Sequence, residues 1–95
     1  MVASIRILDH IAHCADYDDG EIIYKLIYNE LIKGNAVELS FDGVLSTPSA
    51  FINASLIQLL SDFPFDYIRS HLSIINSTKQ INELIRQRFE FASKA

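Results

Sequence analysis

The chain has 95 residues, enough for one hydrophobic core and too few for two; size scaling puts the surface buried on folding at roughly 60–65%. Apolar residues make up 49% and charged residues 21%, with two prolines and three glycines, which excludes a disordered or low-complexity chain. The net charge is −4 and the cations are scattered, apart from Lys79, Arg86, Arg88 and Lys94 on one late segment, so no nucleic-acid partner is expected.

In chain order, Ala3 to Leu8 reads as a short strand with Ile5 and Ile7 on one face and Ser4 and Arg6 on the other. Asp9 to Asp19 has no apolar period and reads as a loop, long for a compact domain. His10, His13 and Cys14, with Asp9 and Asp16, are zinc-ligand types, but the next histidine is the distant His71, and no second pair completes a tetrahedron. No metal and no cofactor is therefore expected, and Cys14 reads as a small inward-facing hydrophobe. A single cysteine excludes an internal disulfide and fits a reducing compartment. Arg6 and Asp9 interrupt any secretory pattern, and no stretch approaches the roughly 20 apolar residues that span a bilayer, so a cytoplasmic location without membrane association is expected.

Asp18 or Asp19 is placed to cap a first helix, with Gly20 and Glu21 in its first turn and Gly34-Asn35 at its end. At 100° per residue, Ile22, Ile23, Leu26, Ile27 and Leu31 form one broad face, and Tyr24, Tyr28 and Ile32 widen the apolar arc beyond it. Two readings follow. Either the helix packs on a sheet and is covered on its flank by a neighbouring helix, or Tyr24, Tyr28 and Ile32 form a face for a homodimer or another protein.

Val37, Leu39 and Phe41 alternate with Glu38 and Ser40 as a buried strand does, and Asp42-Gly43 ends it in a turn. Thr47 then reads as N-cap of a second helix, Pro48 as its first residue and Ser49 as a member of the first turn. Ile52, Leu56, Leu59 and Leu60 share one face of that helix, Ser55 and Gln58 another, and it ends near Ser61. Phe63-Pro64-Phe65 turns into a short helix, Asp66 to His71, with Phe65 and Ile68 as core anchors. Leu72, Ile74 and Ile75 form a third strand, Asn76 or Ser77 caps a last helix, and Ile81, Leu84, Ile85, Phe89 and Ala92 give it a one-sided stripe.

Alternating strands and helices predict a small α/β sandwich with right-handed parallel connections. Ser46 to Ser49 then falls at the carboxyl end of the second strand, where open α/β sheets meet ligands and partners. Nucleophilic catalysis would need Ser49 or Cys14 beside a base, no signature surrounds the histidines, and no glycine-rich phosphate loop is present, so the chain is not expected to be an enzyme.

Gly43-Val44, the run Thr47-Pro48-Ser49-Ala50-Phe51-Ile52-Asn53-Ala54 and the apolar helix after it resemble the STAS-like domains of bacterial and phage proteins, relatives of the anti-sigma-factor antagonists. Asp19-Gly20-Glu21, a strand near Leu72 to Asn76 and a helix from Ser77 fall in that family's order, so the resemblance covers residues 18 to 90. It implies one STAS-like domain over residues 1–95, with a three- to four-stranded, mostly parallel sheet and about three main helices. It also implies a regulatory protein-binding module whose partner is a histidine-kinase-like ATPase. In the antagonists a serine at the start of this helix is phosphorylated. Ser49 is therefore the phospho-acceptor candidate, and Asp42, Thr47, Pro48, Phe51 and Asn53 are the surrounding partner-binding candidates. The antagonist motif is only partly kept, since Pro48 replaces its acidic residue and Ala50 and Phe51 replace its serine and glycine. A second expectation is a phage or mobile-element protein that inhibits a host protein with the same scaffold and no phosphorylation.

Overall fold

The computed structural model describes residues 1–93, so Lys94 lies outside the described residues. Among the described residues three strands, β1 (Val2–Arg6), β2 (Ala36–Ser40) and β3 (Leu72–Ile75), form one parallel sheet in the order β1-β2-β3, and four helices accompany them, α1 (Tyr17–Ile32), α2 (Ser49–Ser55), α3 (Phe65–His71) and α4 (Lys79–Ser93), with short 3-10 turns at Ile7–Asp9 and Ile57–Ser61. The fold is thus mixed α/β, with strands and helices in the order that the sequence implied.

Parallel register places Ile5 beside Leu39 and Leu39 beside Ile74. Because side chains alternate along a strand, these three share one face with Ile7, Val37 and Leu72, and the helices cover that face. The opposite face carries Ser4, Glu38 and Ser73, and the Ser4 hydroxyl donates to Glu38 Oε1 at 3.4 Å. β1 stops two residues early. Ile7, which the alternation assigned to the strand, turns into the 3-10 segment and is still fully buried.

The first helix begins earlier than its acidic residues implied. Asp16, not Asp18 or Asp19, is the N-cap, and its carboxylate accepts from Asp19 N at 3.0 Å while Asp19 Oδ2 accepts from Ala15 N at 3.2 Å. This reciprocal pair satisfies two N–H groups at the helix entry and leaves Asp18 and Asp19 in the first turn, where the dipole favours them.

The second helix starts one residue later and ends six earlier than expected. Pro48 is extended (ψ 160°) and is itself the N-cap, with Ser49 as the first helical residue. At Leu56 (φ −113°, ψ −49°) the α-helix ends and the chain continues as the 3-10 turn, which carries both Leu56 and Leu59 into the core. Ser55 is not on a polar face. It is fully buried and donates to Phe51 O at 2.8 Å, because α1 crosses directly over it at Gly20.

Two further expectations are corrected. Phe65 is a rim residue, 39% exposed, with its ring tilted against that of Phe89 at 5.5 Å, and only Ile68 of that pair is in the core. The last helix is capped by Thr78, whose Oγ1 accepts from Ile81 N at 3.1 Å, rather than by Asn76 or Ser77. Among the described residues no helix is long and apolar enough to cross a membrane.

Candidate functional site at the carboxyl edge of the sheet

The three strand ends deliver polar residues to one edge. Arg6 closes β1, and its Nε and Nη1 donate to Asp42 Oδ2 at 3.1 Å and to Asp9 Oδ1 at 2.9 Å. These hydrogen bonds, Asp9 first and Asp42 second, raise the guanidinium above its usual pKa. Ser40, at the end of β2, accepts from Asp42 N at 3.2 Å and from Asn76 Nδ2 at 3.0 Å, which ties the turn after β2 to the end of β3. Gly43 takes φ +84°, the left-handed region that glycine enters without steric cost, and Val44 N donates to Phe41 O at 2.8 Å across the turn.

The segment after this turn is held at both ends and projects between them. Val44 is buried, and Thr47 Oγ1 donates to Cys14 O at 3.3 Å instead of capping α2. Between and beyond these anchors Leu45, Ser46, Pro48, Ser49 and Ala50 are exposed, Leu45 at 81%. Ser46 stands between two open clefts. One, of about 280 Å³, is lined by Thr47, Gln80, Glu83, Leu84 and Gln87, and the other, of about 350 Å³, by Leu8, His13, Cys14, Gly43 and Leu45.

A family model for the STAS-like domain of unknown function (DUF4325) matches residues 19–82, from the first turn of α1 to the first turn of α4. The chain belongs to this family. No curated protein and no solved structure matches it.

Within the STAS-like domain the expected site residues fall into three groups. Ser49 and Pro48 are exposed on the projecting segment. Thr47 and Asp42 lie on the same edge but are engaged, Thr47 with Cys14 O and Asp42 with Arg6. Phe51 and Asn53 face the interior of the molecule. Phe51 is fully buried among the core side chains, and Asn53 Oδ1 accepts from Arg88 Nε at 3.0 Å, joining α2 to α4. Arg6 was missed in the sequence because its partner lies 36 positions away. The only signal was a cation at the end of a strand whose neighbour ends in Asp42.

Burial, with a smaller contribution from Asp19, pushes the Cys14 thiol up to about 11, so it is a poor nucleophile and a poor metal ligand at neutral pH. Among the described residues no three His, Cys, Asp or Glu side chains gather in a group that could hold a metal. His71 accepts or shares a hydrogen bond with Ser70 Oγ at 2.9 Å, but its Nδ1 also lies 3.0 Å from Tyr67 O and its ring stacks on Tyr67 at 4.0 Å. That geometry closes the end of α3.

The tyrosines of α1 enter a row of rings. Tyr24 meets Tyr28 at 5.9 Å, Tyr28 meets Phe63 at 5.7 Å, and Phe63 stacks on Tyr67 at 5.2 Å. The Tyr67 hydroxyl donates to Leu31 O at 2.6 Å, and the Tyr24 hydroxyl donates to Asp62. The flank of α1 is therefore covered by the segment around Phe63 and by α3, while Ile32 remains 59% exposed.

Proposed function

We propose that this STAS-like domain is a non-catalytic, cytoplasmic protein-binding module, and that it meets its partner through the projecting segment from Leu45 to Ala50. The observation that supports this reading is the 81% exposure of Leu45 on a segment whose flanks are fixed by Val44 and by the Thr47 to Cys14 hydrogen bond. A large apolar side chain held out from an ordered loop costs little further conformational entropy when a partner covers it. The partner is a regulatory protein of the kinase-like ATPase class that the family resemblance implies, and phosphorylation of exposed Ser49 weakens docking by adding charge beside Leu45.

A second reading is supported by the shortness of α2. Seven residues give a weak dipole, and Pro48 supplies no side-chain cap hydrogen bond, so the helix start offers a phosphate limited stabilisation. Under this reading the same surface recognises a host protein by shape alone, as a small phage or mobile-element inhibitor would. Capture from the native host, with mass spectrometry of the captured protein and of Ser49, tests both. Leu45→Asp should abolish capture under either reading. Ser49→Asp should reduce it, and Ser49→Ala preserve it, only under the first. Unchanged capture by Leu45→Asp would remove this surface from the function.

A further inference from the structure

The row of core residues that crosses the sheet is incomplete at one end. Ile5 on β1 is 7% exposed and Leu39 on β2 is 0% exposed, but Ile74 on β3, next in the same row, is only partly buried, as is Leu72 beside it. A cleft of about 180 Å³ opens there, walled by Phe65, Ile68 and Leu72 on one side and by Ile85 and Phe89 of α4 on the other.

What fits against this cleft is constrained by the backbone at its edge. Phe41 N donates to Ile75 O at 3.0 Å, so in the parallel ladder Ile75 and Ser73 direct their N–H and C=O groups toward β2. Ile74, one residue out of phase, directs both of its groups away from the sheet. The N–H of Leu72 is already used by Ile68 O, which leaves the Leu72 carbonyl as an acceptor on that edge. An N–H and a C=O projecting from one residue are complementary to the same pair on an antiparallel copy, since directly opposed residues of an antiparallel ladder exchange both bonds.

We infer that β3 is the site of reversible self-association, in which two copies pair β3 with β3 antiparallel about a two-fold axis at Ile74. Each Ile74 donates to and accepts from the Ile74 of the second copy, and the two clefts come together over the joined edge. The three-stranded sheet becomes a continuous six-stranded one. A second copy fits better than a charged partner because the rim carries both signs side by side. The charged side chain on its wall, Arg69, pairs with Asp66 at 3.6 Å, so no net charge on the rim selects an acidic or a basic ligand. A four-residue edge makes few hydrogen bonds, so the dimer is weak and concentration-dependent.

Sedimentation velocity over a concentration series reads the association directly. The mass should rise from 10.8 kDa toward twice that value. Ile74→Asp and Ile74→Lys each place like charges against one another at the axis and should weaken dimerisation by more than about tenfold, whereas an equal mixture of the two should recover it. Since either charge could disturb the monomer, a second test uses a conservative change. In a Cys14→Ser background, Ile74→Cys places the thiols on an opposed pair whose Cα separation of about 5.5 Å suits a disulfide, and mild oxidation should give a covalent dimer. Ser73→Cys in the same background should not. A monomer at every concentration, failure of the charged mixture to recover association, or equal cross-linking at Ser73 and Ile74 would each overturn the inference.

Discussion

Gly20 of α1 and Ala54 of α2 approach so closely that a methyl group on Gly20 would lie 2.6 Å from Ala54 Cβ and 2.7 Å from Phe51 O. The first obstacle could retreat only by moving α2, and the second is backbone. Gly20→Ala should therefore destabilise the fold. Overpacking costs about 1–3 kcal/mol, and better helix propensity returns at most about 1 kcal/mol. A net loss of about 1–2 kcal/mol corresponds to a melting temperature lower by roughly 5–15 °C for a domain of this size. Ala54→Gly in the same chain should recover part of the loss. A Gly20→Ala variant as stable as the parent would show that α1 and α2 are free to separate.

Tyr24 donates to Asp62, and this hydrogen bond, helped by desolvation, pushes the phenol up to about 12. The folded value lies above the ordinary value of 10.0, so the contact contributes stability that is complete below pH 10 and lost as pH rises toward 12. A difference ultraviolet titration of the parent against Tyr24→Phe should show a phenol that ionises above the ordinary value of 10.0. Asp62→Asn should bring it back toward that value. If the Tyr24 phenol ionises at its ordinary value in the folded parent, the hydrogen bond does not persist in solution.

Much of this architecture was legible in the sequence because local pattern and tertiary role coincide. Val37, Leu39 and Phe41 alternate and are all buried, and the Asp42-Gly43 turn sits where the pair demands. Two kinds of feature were not legible. Ser55 was assigned by helical position and Phe51 by its place in the family's motif, but both pack where Gly20 of another helix crosses, a contact that no window around them contains. Thr47 was expected to cap α2 and Asp18 or Asp19 to cap α1, but Asp16 caps α1 and Thr47 reaches across to Cys14 O. The same limit applies to Arg6, whose role at the site depends on the register of β1 against β2. Strand faces and turns could be read from local pattern, and side chains that join two elements could not.

Cys14 should behave as an inert thiol. Its value rises from 9.0 to about 11, chiefly through burial, so alkylation at neutral pH should be slow in the folded chain and accelerate on unfolding. Thiol ionisation also opposes folding, and stability should fall as pH rises from 9 through 11, a window that overlaps the rise from 10 toward 12 over which the Tyr24 contribution is lost. Cys14→Ser removes the first contribution and leaves the second. Chelation should leave the melting temperature unchanged, because the core from Ile5 to Ile85 uses no metal-ligating side chain. Stoichiometric zinc, released with unfolding, would contradict this.

Asn76 ends β3 with φ +54° and donates from Nδ2 to Ser40 Oγ, the same hydroxyl that accepts from Asp42 N. Its side chain thereby does two separable things. It tolerates the left-handed backbone better than most residues, and it ties the end of β3 to the turn that precedes the Leu45 segment. Asn76→Gly removes the tie but relaxes the backbone and should cost no more than about 1 kcal/mol. Asn76→Ala loses the tie and also places a Cβ at positive φ, so it should cost about 2 kcal/mol. A double-mutant cycle with Ser40→Ala measures the tie alone, and a coupling of about 0.5–1.5 kcal/mol is expected. Equal costs for glycine and alanine would mean that the backbone strain is absent in solution. A coupling near zero would mean that β2 and β3 hold their carboxyl ends together without the side chains, leaving the strand ladder and the Phe41 to Ile75 backbone bond to set the geometry of that edge.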